Sequence, residues 1–139
     1  MRIIRFLLGR LILMINRITL PKPIQRPQQQ QKQLDDLTRH LYVYEMLACP
    51  FCVKVRREIH RLGLNIETIN VKQSKREMDR LVNEGGKFQV PCLRIDPPFK
   101  PDSIKNTDKS NDDQAYKWLY ESDQIIEHIQ MLADASQST

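Results

Sequence analysis

From Leu41 onward the chain alternates between the two hydrophobic periods of a compact α/β domain. Leu41-Tyr-Val-Tyr is a short apolar strand, and Pro50 to Leu62 places Cys52, Val55, Ile59 and Leu62 on one helical face. Gly63 ends that helix. Ile66 to Val71 alternates as a second strand, after which Ser74 and Glu77 form a capping box for a helix reaching about Asn83, ahead of Gly85-Gly86. Val90-Pro-Cys-Leu-Arg-Ile reads as a third strand. Residues 96–114, rich in Pro, Asp, Asn, Ser and Lys, read as a long solvated loop. A strand near Tyr116 to Tyr120 leads to a helix with Ile125, Ile126, Ile129 and Leu132 on one face, and 135–139 read as a frayed tail. The order β-α-β-α-β-β-α predicts a domain over 41–134 with one mixed four-stranded sheet flanked by helices. Its first crossover is expected to be parallel and right-handed, and its last two strands an antiparallel hairpin.

The N-terminal pattern is different. Residues 1–20 are apolar but broken by Arg5, Arg10 and Arg17. At about 100° per residue, Arg2, Arg5, Gly9 and Asn16 share one arc, with Arg10 at its flank. Ile4, Leu7, Leu8, Leu11, Met14, Ile15 and Ile18 fill the other side. Phe6, Leu13 and Arg17 blur the division. Such a helix can lie in a membrane interface with its arginines on anionic headgroups, or span the bilayer at a tilt with snorkelling arginines. Docking on its own domain and an organellar targeting role are the alternatives, whereas no small-x-small site suggests a cleaved secretory signal. Residues 21–40 read as a Pro/Gln-rich linker, with three prolines and six glutamines between 21 and 34. Removing 1–34 is therefore expected to leave a folded, active domain.

Charge follows the same division. The 139 residues carry +5, but the seven Lys or Arg before Asp35 have no acid among them, so the remainder is net −2. Basic residues beside a membrane segment predict a membrane-associated protein whose domain faces the cytoplasm. Aromatics at 6% argue against a stacking surface for nucleic acid.

Three cysteines are too few for a secreted disulfide scaffold and suit a reducing compartment. Cys49-Pro-Phe-Cys52 stands where a strand gives way to a helix. Cys49 precedes the helix, where free N–H groups and the dipole favour a thiolate, and Pro50 suits the first helical turn. Cys52 continues the apolar stripe and should be sheltered. One exposed and one sheltered sulfur are what thiol–disulfide exchange requires. A Cys-x-x-Cys also serves as half a zinc site, but Cys92, His40, His60 and His128 offer no second ligand pair at zinc spacing, so no metal is expected. A cluster ligated across a dimer is a further alternative. The three histidines read as surface residues. Val90-Pro91 suggests a cis peptide that would turn the Val90 backbone toward an extended peptide ligand, the alternative being an edge-strand proline. Cys92 reads as an inert strand residue. Glu121-Ser122-Asp123 opens the last helix, with Ser122 as its cap. The same groups could hold a ligand bearing a carboxylate and an ammonium.

Leu41-Tyr-Val-Tyr, Cys49-Pro-Phe-Cys52, Gln89-Val90-Pro91 and Tyr120-Glu-Ser-Asp123, in that order, resemble glutaredoxins over about 41–133. The likeness is to those whose domain is similar to the N-terminal half of a glutathione transferase. It implies a thioredoxin-like fold, glutathione as reductant, and disulfide or glutathionylated proteins as substrates. By position, Cys49 would be the nucleophile and Cys52 the resolving thiol. Val90 would pair with the glutathione cysteinyl backbone beside the cis-proline Pro91, and Glu121 with Ser122 would take the γ-glutamyl end, with Asp123 and Gln89 as further contacts. Met46 replaces the lysine that many glutaredoxins carry three residues before the first cysteine, leaving Lys54 and Lys87 as candidate cations. Phe51 replaces a commoner tyrosine. No all-helical second domain follows Thr139, so transferase activity on xenobiotics is not expected. The implied function is a glutathione-dependent thiol–disulfide oxidoreductase at a membrane surface. The alternative is a catalytically weak thioredoxin-fold module that anchors a membrane partner.

Overall fold

The computed structural model describes residues 1–97 and 116–137. After two N-terminal helices, α1 (Arg2–Ile18) and α2 (Gln28–Thr38), come β1 (Leu41–Glu45), α3 (Pro50–Arg61), β2 (Glu67–Asn70) and α4 (Lys75–Gly85). β3 (Cys92–Ile95), β4 (Lys117–Leu119) and α5 (Ser122–Gln137) complete the domain. The strands lie in the order β2-β1-β3-β4. β1 and β2 are parallel, with Tyr42 opposite Glu67, while β3 is antiparallel to both β1 and β4. This is the mixed four-stranded α/β architecture of a thioredoxin-like fold.

Strand alternation sorts the core into two layers. Leu41 and Val43 of β1 sit opposite Ile95 and Leu93 of β3, and this face packs with Val55 and Ile59 of α3 and Ile125 and Ile129 of α5. Tyr44 opposite Cys92 faces the other way, into a cluster with Val71 and Leu81 of α4. Both sheet faces are thus covered, and each strand residue feeds the layer its parity dictates. The second layer also holds Arg94, which is 4% exposed and donates to Tyr44 Oη at 2.6 Å and to Asp96 at 2.7 Å. A charge buried so deeply is kept by those partners.

Turn chemistry acts where the sequence places it. Ser74 Oγ accepts from the Glu77 N–H at 3.3 Å, and Gly86 closes α4 at φ +88°. Gly85 has a different job. A Cβ there would run into the Tyr120 hydroxyl and the Trp118 ring, so the end of α4 lies against β4 only because this residue has no side chain.

Several expectations change. The stretch read as a linker contains α2, whose Leu34 is 0% exposed and belongs to the core. Its connection to α1 is sewn down: Ile24 N–H donates to Arg61 O at 2.9 Å, and Gln31 Nε2 donates to Gly63 O at 3.0 Å. Arg26 also donates to Leu62 O. Removing 1–34 would therefore take a core leucine with it. At the other end, α5 continues through the expected tail to Gln137 with Ser136 buried, because its apolar face persists past Leu132. Ser122 is the first residue of α5 rather than the residue before it. His128 is buried, since it lies on the face of Ile125, Ile129 and Leu132, and that burial lowers its pKa. Most of the expected 96–114 loop lies outside the described residues.

Helix α1 forms as its pattern predicts but buries no residue. Its 17 residues span about 26 Å, and no helix among the described residues is long and apolar enough to cross a membrane, which removes the spanning alternative.

Candidate active site

The first cysteine sits where β1 hands over to α3. Glu45 ends the strand and is nearly buried, held by Arg56 Nε at 2.9 Å. The same guanidinium donates to Leu47 O at 3.2 Å, so one side chain of α3 secures both the strand end and the loop that follows. The loop closes when Cys49 N–H donates to Met46 O at 3.2 Å. Cys49 is then the N-cap of α3, with extended φ and ψ, and its carbonyl accepts from Val53 N–H at 2.9 Å. Pro50 follows in the first turn, where its missing N–H costs nothing.

The two sulfurs differ as the stripe implies. Cys49 is half-buried, whereas Cys52 is 1% exposed, and both are free thiols. Burial pushes the Cys52 thiol up to about 12, with Cys49 and Glu45 adding to the rise and a backbone hydrogen bond from Met46 opposing it. Cys52 is consequently protonated at neutral pH. Cys92 is fully buried in β3 and is likewise pushed up to about 12 by desolvation.

Val90–Pro91 is a cis peptide. Pairing of β3 begins at Cys92, so Val90 lies beyond the sheet ladder, half-buried. Gln89 Nε2 donates to Tyr120 O at 3.3 Å and joins this segment to the approach to α5. There Glu121 is exposed and its carbonyl accepts from Ile125 N–H at 3.0 Å, while Ser122 is half-buried. Asp123 is exposed and forms an ion pair with Lys54, two residues after Cys52. That pair ties the start of α5 to the first turns of α3. It also means that Lys54, a candidate cation, is already shared with a carboxylate. Lys87, the other candidate, sits 4.4 Å over the Tyr120 ring. Met46 leans into the second core cluster instead of presenting a charge. Among the described residues, no group of three or more His, Cys, Asp or Glu side chains is placed to hold a metal ion.

Sequence reasoning did not single out Glu45 and Arg56. Glu45 ends an apolar strand, a position that usually faces solvent, and only the distance to Arg56 reveals a brace under the cysteine loop.

A parallel-then-antiparallel sheet, a Cys-x-x-Cys at a helix start and a cis-proline ahead of β3 define a thioredoxin-like thiol protein. Residues 41–99 match the family model for glutaredoxin, a family of thiol–disulfide oxidoreductases that generally uses glutathione. Searches of curated proteins and of solved structures gave no match to this chain.

Proposed function

We propose that this protein is a glutathione-dependent thiol–disulfide oxidoreductase acting on glutathionylated or disulfide-bonded proteins at a membrane surface, with its domain in the cytoplasm. The observation that carries the reading is the inequality of the two sulfurs: Cys49 accessible at a helix N-terminus, Cys52 buried and protonated behind it. The Cys49 thiolate attacks the glutathione sulfur of a mixed disulfide. A Cys49–glutathione bond forms as the substrate S–S bond breaks, and the protein thiolate leaves and takes a proton. A second glutathione then attacks that bond, so oxidised glutathione departs and Cys49 returns to the thiolate. With a protein disulfide, Cys52 takes the second glutathione's place and closes a Cys49–Cys52 disulfide, which two glutathiones reduce in turn.

In this reading the Val90 backbone, beside Pro91 and Gln89, pairs with the tripeptide. Glu121, Ser122 and Asp123 meet its γ-glutamyl end at the start of α5, where N–H groups suit a carboxylate and the acids suit an ammonium. Asp123 would exchange its Lys54 partner for that ammonium, freeing Lys54 for the glycyl carboxylate.

Serine substitutions test the assignment. Cys49→Ser is expected to abolish reduction of a glutathionylated peptide, whereas Cys52→Ser keeps it because external glutathione still completes the cycle. Activity that survives without Cys49 would overturn the function, and equal loss from both changes would overturn the monothiol route.

A further inference from the structure

Helix α1 is held to the domain along the line of Gly9 and Asn16, with Ile12 and Leu13 half-buried on either side of it. Gly9 comes so near the cysteine loop that a Cβ on it would lie 3.2 Å from the Ala48 Cβ. Farther along, Arg57 donates to the Asn16 carbonyl and Oδ1 at 3.3 and 3.2 Å, and to Thr19 Oγ1 and O at 3.0 and 2.7 Å. Gly9 and Asn16 are seven residues apart and so share one line of the helix. At 100° per residue Leu7, Leu11, Met14 and Ile18 fall on the opposite line. Each of those four is between 45% and 75% exposed. The apolar stripe therefore points away from the protein, the reverse of an ordinary surface helix.

Charge selects what covers it. Arg2, Arg5, Arg10 and Arg17 are the charged side chains of α1, and no acid precedes Asp35. A second copy laid face to face would bring the flanking Arg10 and Arg17 of each helix, four arginines, beside the seam without a carboxylate from either. An anionic bilayer offers an apolar phase for the stripe and counter-charge for Arg10 and Arg17, which reach up from one flank.

We propose that α1 seats on an anionic phospholipid surface, and that its contact with Ala48 fixes the neighbouring Cys49 about one helix diameter, roughly 10 Å, above the acyl boundary. The preferred substrates are then glutathione mixed disulfides on protein segments lying within the headgroup zone, rather than those on soluble domains. Leu47 and Phe51, both exposed beside Cys49, give such segments an apolar edge to lie against. The inference rests on the thiol–disulfide activity proposed above.

The test uses the full chain with phosphatidylglycerol–phosphatidylcholine vesicles. Three glutathionylated peptides are compared: one lipid-anchored by a short spacer, one by a long spacer, and one free in solution. The protein is expected to sediment with the vesicles and to reduce the short-spacer peptide at least about tenfold faster than the long-spacer one, since a fixed height sets effective concentration. Leu7→Glu with Leu11→Glu, both at exposed positions, should remove sedimentation and the short-spacer preference together, with reduction of the free peptide showing that the thiol site is intact. Sedimentation without spacer preference would overturn the inference. So would a full chain that ignores vesicles, or one that self-associates until the two leucines are replaced. In the unmodified chain, inactivity confined to the anchored peptides would overturn this inference alone, whereas inactivity on the free peptide as well would overturn the activity and the inference together.

Discussion

Helices α1 and α2 stand one after the other ahead of the sheet, and they use their apolar residues in opposite ways. α1 is lined with isoleucine and leucine yet buries none of them. α2 is built mainly from glutamine, lysine and aspartate, and its Leu34 is sealed completely in the core beside α5. The difference lies in what each helix meets. α2 is led to the open side of the α3–α5 layer by the strap at Ile24, Arg26 and Gln31, so a single leucine finds a hole to fill. α1 meets Arg57 and the Ala48 methyl along the line of Gly9 and Asn16, with Ile12 and Leu13 half-buried beside it, which leaves the stripe from Leu7 to Ile18 uncovered within the molecule. Burial follows the docking face, not the apolar content.

The largest effect that tests this contrast is at Leu34. Truncation to Ala in a fully buried, well-packed site should cost about 2–5 kcal/mol, read as a lower midpoint in urea with an unchanged slope. A cost below about 1 kcal/mol would mean that α2 is an ornament of the domain, as α1 is. The same reasoning separates two truncations. A chain lacking residues 1–19 should unfold near the full-length midpoint, and one lacking 1–34 well below it.

Next in size is Thr38, one turn after Leu34 on the same face. Its hydroxyl is buried and donates to Leu34 O at 2.9 Å. Thr38→Val keeps the shape and removes that bond, so about 1 kcal/mol should be lost in the same measurement. No loss would place this end of α2 in solvent.

The domain from β1 to α5 was legible because each of its devices is local. Alternation marked the strands, the capping box marked α4, and Cys-Pro-Phe-Cys marked a helix start with one sulfur on the apolar stripe. α2 was not legible, because Leu34, Leu37 and Thr38 give a single turn of helical spacing, too short to stand out behind a run of glutamines. Its place depends on a core assembled from residues far along the chain. His128 hid for a related reason: a titratable residue on an apolar face looks exposed until the neighbouring helix is in position. Within the candidate site, sequence located Cys49, Cys52 and the cis peptide at Val90–Pro91. It could not show that Lys54 already holds Asp123, or that Arg56 and Glu45 brace the loop, since those pairs join residues from different elements.

A smaller effect is expected at Arg57, whose four hydrogen bonds tether α1. Arg57→Ala should leave the urea midpoint within about 0.5 kcal/mol of the original, because the groups it serves are partly exposed and can turn to water. The change should appear instead as faster amide exchange across the last turn of α1, with protection of α2 unaffected. Faster exchange in both helices would show that they form one cooperative unit, and the contrast between them would fail.

The smallest effect is the sharpest test of the outward stripe. Leu11 is 45% exposed and opposite the line that touches the domain, so Leu11→Gln removes almost no packing and strands no polar group. Stability without vesicles should stay within about 0.5 kcal/mol of the parent, against the several expected for a leucine at 34. Solubility should rise, since a large apolar patch has been interrupted. If Leu11→Gln were instead to lower the urea midpoint as Leu34→Ala does, the stripe would be packed inside the molecule in solution, and the opposite roles of the two helices would have to be abandoned.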